Sequence, residues 1–174
     1  TTEVNDIANS IHADSFVSAY RAAFVKNIHD GVAEKKYDEA LLSFNLEELA
    51  QQLDPSRDRF LRYFGVQTLA DRYFVKNETK RFLETPQVLF MRVAMGLAKN
   101  EQNKEHYAIQ FYNVMSNLHF IPSTPTLFHA GTPHAQLSSC YLNTVEDNLE
   151  HIFKVHGDNA QLSKWAGGIG TDWT

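Results

Sequence analysis

The sequence predicts a mainly α chain that turns to α/β near its end, with a helical domain over residues 1–118 and a strand–helix–strand unit within residues 119–174. Three observations predict it. Apolar residues recur at helical spacing through the first three quarters of the chain. Prolines and glycine crowd the stretch after His119, where Pro122, Pro125, Gly131 and Pro133 cannot continue a helix. A short β-compatible run then feeds a further amphipathic segment.

The first helix is predicted by Phe16, Ala19, Tyr20, Ala23 and Phe24, which fall on one helical stripe. A second core helix is predicted after Asp54-Pro55, a helix-start signal, with Phe60, Leu61, Phe64, Leu69 and Tyr73 on its apolar face. Thr85-Pro86 reads as an N-cap with proline at the first helical position. The run that it opens, Gln87 to Lys99, is apolar nearly all round and should be buried. Ala108, Phe111, Tyr112, Met115 and Leu118 predict one more helix that stops before Pro122.

The stretch after His119 reads as an ordered loop. Ser138 to Thr144 reads as a strand, and Asp147-Asn148-Leu149-Glu150 has the Asp-x-x-Glu form of a helix start with Asp147 as the cap. Leu149, Ile152, Phe153, His156 and Ala160 should line the buried face of that helix, and Gly167-Gly168 should end it. Ile169 to Thr174 then begins a second strand. An α/β unit that stops at this point predicts a fragment of a longer chain.

Composition narrows the functional classes. At 174 residues, with 43% hydrophobic and 21% charged residues, the chain has the make-up of a folded globular protein. A formal net charge of -5 supplies no positive field for a phosphate backbone, so nucleic-acid binding is not expected. No apolar run reaches the length of a membrane span, and Thr1 to Ser10 lack the order of a signal peptide. A single cysteine, Cys140, cannot form a disulfide within the chain and suits a reducing, cytoplasmic compartment.

The chemistry-bearing residues gather in the last third. Ser138-Ser139, Cys140 and the glycines after the next helix could surround a small anionic ligand, because hydroxyls and backbone N–H groups bind phosphate without net charge. Each has a plainer reading: Cys140 as a small buried hydrophobe, Thr124 as a turn residue before proline, Ser139 as a strand serine, Gly168 as a helix cap, and Asp147 as an N-cap. Gly167-Gly168-Ile169-Gly170 is not a dinucleotide fingerprint, since it closes a helix instead of opening one. The eight histidines, among them His119, His129, His134, His151 and His156, lack paired metal-ligand spacing, so no metal is expected. Glu47 and Glu48 read as a solvated helix face.

Taken together, five segments carry a resemblance. Phe120-Ile121-Pro122-Ser123-Thr124-Pro125-Thr126-Leu127-Phe128, Ala130-Gly131-Thr132, Gln136-Leu137-Ser138-Ser139-Cys140-Tyr141-Leu142, Glu146-Asp147-Asn148-Leu149 and Ala166-Gly167-Gly168-Ile169-Gly170 resemble, in order and spacing, consecutive motifs of the ribonucleotide reductase large subunit. Residues 37–120 are similar in pattern to that family's amino-terminal helical domain, and the first thirty positions match least.

The resemblance implies the first strand–helix–strand of a ten-stranded α/β barrel and a class I enzyme that replaces the ribose 2′-hydroxyl of a ribonucleotide by hydrogen through a thiyl radical. It puts Cys140 as one of two reducing cysteines, Thr124, Ser139 and Gly168 beside the substrate, and Asp147, Asn148 and Leu149 against a nucleoside triphosphate effector. It also implies a homodimer through the helix over residues 148–165. The radical would come from a metal-containing small subunit and the electrons from a dithiol such as thioredoxin or glutaredoxin, with no cofactor bound by this segment. The radical cysteine and the second reducing cysteine belong to later parts of such a barrel, so this chain is expected to be inactive alone. An ATP-cone is not recognisable in residues 1–30. Two other readings stand: a cobalamin-dependent reductase of the same superfamily, and a helical interaction module without catalysis.

Overall fold

In the computed structural model, the structure describes residues 16–165 and 167–173. In chain order it has α1 (Phe16–Ala33), a 3-10 turn (Glu39–Ser43), α2 (Leu46–Gln52), a 3-10 turn (Pro55–Phe60) and α3 (Tyr63–Thr68). A π turn (Leu69–Tyr73), α4 (Pro86–Ala98), α5 (Lys104–Ser116), α6 (Thr124–His129), β1 (Cys140–Val145), α7 (Leu149–Lys164) and β2 (Gly168–Trp173) follow. The mainly α expectation with an α/β ending holds. Residues 1–15, on which the reading of the amino terminus partly rests, lie outside the described residues.

α4 is the axis of the helical region. All of its residues but Leu97 are buried, as an all-round apolar run requires. α1 contributes Ala19, Tyr20, Phe24 and Ile28, and α5 contributes Ala108, Tyr112 and Met115 to the same core. Thr85 is the N-cap residue of α4, but its hydroxyl does not cap the helix and instead donates to the Tyr20 hydroxyl of α1. Capping is thereby exchanged for a tie between helices.

The expected core helix after Asp54-Pro55 is corrected. Residues 55–73 form three pieces, a 3-10 turn, α3 and the π turn, with no fully buried residue among them; Phe64 is 80% exposed. The Asp54 carboxylate and Pro55 start a tight turn, which closes when the Leu61 N–H donates to the Asp58 carbonyl, and Arg62 is extended. The apolar stripe is thus cut before it can lie along the core. Leu69 and Tyr73 alone of the five predicted positions pack, half-buried, against it.

The loop expected after His119 contains one helix, α6, because Pro125 occupies its first turn, where a missing N–H costs nothing. α6 and the turn after it lie on α4. A Cβ placed on Gly96 would stand 2.1 Å from the Gly131 nitrogen, so the two backbones touch, and Gly131 itself has φ +74, a left-handed conformation open to glycine.

Buried among these elements is an ion pair. Arg92 is fully buried and gives its Nε to Glu84 Oε1 at 2.5 Å, its Nη1 to the Ala130 carbonyl at 2.6 Å and its Nη2 to the Leu127 carbonyl at 3.0 Å. Glu84 Oε2 accepts the Val75 N–H at 2.8 Å. The guanidinium thus satisfies the carbonyls at the C-terminal end of α6, which a short helix cannot satisfy for itself.

β1 and β2 are parallel neighbours, with Cys140 opposite Gly168 and Val145 opposite Trp173. α7 crosses between them. Its expected buried face is corrected: Val155 is buried and Ile152, Asn159 and Leu162 are half-buried, whereas Leu149 and Phe153 are 71% and 68% exposed and His156 and Ala160 also face outward. Asn159 decides the rotation. It accepts from Asn143 of β1 at 2.5 Å and donates to Thr171 of β2 at 3.3 Å, so the helix turns a polar residue toward both strands. α7 ends at Lys164, just before the glycines as expected, with the Gly167 N–H donating to the Leu162 carbonyl of its last turn at 3.1 Å, while Gly168 is the first residue of β2 instead of a cap.

Candidate functional site

Strand alternation sorts the side chains of β1. Asn143 faces α7, so Cys140, Leu142 and Thr144 project to the other, open face, joined there in register by Gly168, Gly170 and Asp172 of β2. Leu142 is 89% exposed on that face.

Cys140 stands exposed at the head of β1. The Ser139 hydroxyl donates to its Sγ at 3.8 Å, and the Gly168 N–H donates to the Ser139 carbonyl at 2.7 Å. A Cβ on Gly168 would lie 3.0 Å from the Ser139 carbonyl oxygen and 3.8 Å from Sγ. The absence of a side chain there spares the Ser139 carbonyl oxygen a tight contact and leaves bare backbone beside the thiol. Ser139, Cys140 and Gly168, separated in sequence by a helix, are therefore brought together. Gly167 is small for a different reason, since a Cβ there would lie 2.9 Å from the Tyr141 ring and 3.1 Å from the Leu162 carbonyl oxygen.

Thr124 lies on α6, which is bonded to the segment that leads into β1. It is exposed in the first turn of that helix, its hydroxyl 3.2 Å from the Tyr73 hydroxyl. Thr126 of the same helix donates to the Leu137 carbonyl at 3.0 Å, and His129 Nδ1 donates to the Gln136 carbonyl at 2.9 Å. Gln136 Nε2 in turn donates to the Ser138 carbonyl at 2.9 Å and to the Tyr141 hydroxyl at 2.8 Å. This chain of bonds ties the helical region to the strand that carries the thiol.

Asp147, Asn148 and Leu149 lie past the other end of β1, about 20 Å from Cys140 at the usual rise of a strand. All three are exposed. The expected cap is corrected by one residue: Asn148, not Asp147, caps α7, its Oδ1 accepting from the N–H groups of Glu150 at 2.9 Å and His151 at 3.2 Å. The preceding Asn148 N–H is bound by the Glu146 carbonyl at 2.7 Å, which turns the chain so that position 148 meets the helix terminus. Asparagine directly before Leu149-Glu150 was the sequence signal for this, and it competes with the aspartate one position earlier.

Comparison with known proteins decides the family. The family model described as ribonucleotide reductase, all-alpha domain, matches residues 59–135, and that described as ribonucleotide reductase, barrel domain, matches residues 138–174. The chain belongs to the ribonucleotide reductase large-subunit family. It is 52% identical over 168 residues to the ribonucleoside-diphosphate reductase subunit alpha of Chlamydia trachomatis, covering 97% of this chain and 16% of that protein. It is 45% identical over 131 residues to the subunit alpha of Helicobacter pylori, covering 75% of this chain and 17% of that protein. It is 39% identical over 140 residues to the large subunit of Plasmodium falciparum, covering 80% of this chain and 17% of that protein. The chain thus spans about one sixth of the length of the curated reductases it matches.

Within the reductase family's two domains, Ser139, Cys140, Asp147, Asn148, Leu149 and Gly168 fall in the barrel-domain match and Thr124 in the all-alpha match. Reasoning from the sequence missed Tyr73 as a neighbour of Thr124 and Arg92 as the anchor of α6. Neither carries a local signal, because the tyrosine reads as a core aromatic and the arginine interrupts an apolar run. Among the described residues, no group of three or more His, Cys, Asp and Glu side chains is arranged to hold a metal ion, and no helix is long and apolar enough to cross a membrane.

Proposed function

We propose that this chain forms the amino-terminal part of a class I ribonucleoside-diphosphate reductase large subunit, with Cys140 as one of two cysteines that deliver electrons to the substrate. The observation that carries this reading is the exposed thiol at the head of β1, flanked by the Ser139 hydroxyl and opposite a glycine on the open face of the sheet. A thiol that must give up electrons and then be re-reduced by an external dithiol needs this kind of access.

In this reading the ribose loses its 2′-hydroxyl as water and gains hydrogen at that carbon. Two electrons and two protons come from Cys140 and a second cysteine beyond this chain, which leave as one disulfide. Thioredoxin or glutaredoxin then reduces the disulfide by thiol exchange, and a small subunit supplies the radical that starts the cycle. Thr124 and Ser139 offer hydroxyls to the substrate, and the bare backbone at Gly168 lets it lie close.

Asp147, Asn148 and Leu149 would contact a nucleoside triphosphate effector at the start of α7. With Asn148 occupied as the cap, the Asp147 carboxylate is the group left to accept a sugar hydroxyl. The outward face of α7, with exposed Leu149 and Phe153, supports a homodimer through this helix, because two large apolar side chains one turn apart are stabilised by being covered.

The test is Cys140→Ser in the complete subunit. Multiple turnover with a thioredoxin-type reductant should be abolished while substrate binding stays near that of the parent, since serine keeps the size and cannot form a disulfide. Turnover at the parent rate would remove Cys140 from the redox pair.

A further inference from the structure

Tyr73 ends the π turn, where the Phe74 N–H reaches back to the Leu69 carbonyl at 2.9 Å. The extra residue in that turn re-aims the side chain, and such turns are frequent at functional sites. The Tyr73 ring stacks on Phe128 of α6, centroids 4.8 Å apart and planes 27° from parallel. That contact holds the phenol over the first turn of α6, its oxygen 3.2 Å from Thr124 Oγ1. The far end of α6 is fixed by Arg92 through the Leu127 and Ala130 carbonyls. α6 is therefore held at both ends, and Thr124 in its first turn meets the hydroxyl of a tyrosine 51 residues earlier.

We infer that Tyr73 is a positioning residue that orients the Thr124 hydroxyl toward a phosphate oxygen of the ribonucleotide, an inference that rests on the reading of Thr124 as a substrate-binding residue. A threonine hydroxyl carries one proton and rotates freely, so alone it presents donor and acceptor at random. When the phenol donates to Thr124 Oγ1, the threonine proton is turned outward and is available to an anionic oxygen. An oriented donor strengthens ground-state binding and transition-state binding alike, so its loss falls on KM.

The experiment uses the complete reductase with its small subunit and compares Tyr73→Phe, Thr124→Ala and the double variant. Phenylalanine keeps the stack on Phe128 and removes only the hydroxyl. Tyr73→Phe should raise the KM for the ribonucleoside diphosphate about two- to tenfold, the size of one neutral hydrogen bond. The kcat should stay within about twofold and Tm should be unchanged, which a merely structural tyrosine would not produce. Thr124→Ala should raise KM as well, and the double variant should be no worse than Thr124→Ala alone, because the tyrosine acts through the threonine. A parental KM in Tyr73→Phe alongside a raised KM in Thr124→Ala overturns the role of Tyr73 alone. Additive effects in the double variant do the same. A parental KM in Thr124→Ala overturns the reading of Thr124 and the role of Tyr73 with it.

Discussion

The helical region and the strand–helix–strand unit solve the burial problem in opposite ways. α4 buries nearly every residue, including a charged one, whereas α7 buries Val155 alone and leaves Leu149 and Phe153 in solvent. The helical region has an interior of its own, with helices on several sides of one axis. The strand–helix–strand unit has two parallel strands with one face covered by α7 and the other open, and so few strands are marginal without further cover. The thiol and the exposed turn at residues 147–149 therefore lie on a unit with little core of its own, which the bonds from α6 to the segment before β1 tie to the helical region.

The largest loss is expected at Arg92. Arg92→Met leaves Glu84 buried beside Val75 without its cation, and removing one partner of a buried pair costs about 3–5 kcal/mol. Denaturant unfolding of the chain should register a loss of that size, and Arg92→Met combined with Glu84→Leu should recover part of it. A loss under about 1 kcal/mol would mean that the pair does not anchor the region.

A smaller effect is expected in the second unit, at the head of α7. Asn148→Ala should cost about 1 kcal/mol by removing the cap, while Asp147→Ala should leave thermal stability nearly unchanged. In the complete subunit, Asp147→Ala should instead weaken effector control over substrate choice. Thermal melts and effector-dependent substrate preference on one preparation separate the two, and a greater loss of stability in Asp147→Ala than in Asn148→Ala would put the cap back at Asp147.

The smallest effect sharpens how polar groups are accommodated in the helical region. Burial holds the Asp58 carboxyl above the usual carboxylate range, against the lowering effect of its bond from Gln87 Nε2 at 2.7 Å; nearby Asp54 adds to the rise. A raised folded pKa means that the folded state binds the proton more tightly, so Asp58 costs stability above its unfolded pKa of about 4 and the cost fades as pH falls. Asp58→Asn keeps an oxygen for Gln87 and carries no charge. Its Tm should exceed that of the parent near neutrality, the gap closing as pH falls through the folded pKa. A gap independent of pH would remove the carboxylate from the account.

Much of this was legible in the residues themselves. α4 was, because an apolar run that is continuous around a helix has no alternative to burial, and so was the strand–helix–strand order that sets Cys140 at the start of β1. The stripe from Phe60 to Tyr73 was misleading, since spacing cannot reveal that Asp54 and Pro55 start a tight turn and that the chain is extended at Arg62. The inward face of α7 was misassigned because apolar count favours Leu149 and Phe153, while the two side-chain bonds of Asn159 turn the helix otherwise.

The mainly α chain with its strand–helix–strand ending, the family and the motif positions could be read from the residues alone, because each depends on residues near one another along the chain, whereas the breaks within 55–73 and the helix at Thr124–His129 could not. That Gly168 lies opposite Cys140, that Arg92 holds the end of α6 and that Tyr73 meets Thr124 came from packing alone. Range separates the two kinds of fact. Propensity, capping and turn chemistry act over a few residues, whereas these meetings arise where surfaces distant in sequence are packed against a common core, and each depends on shapes that no single segment contains.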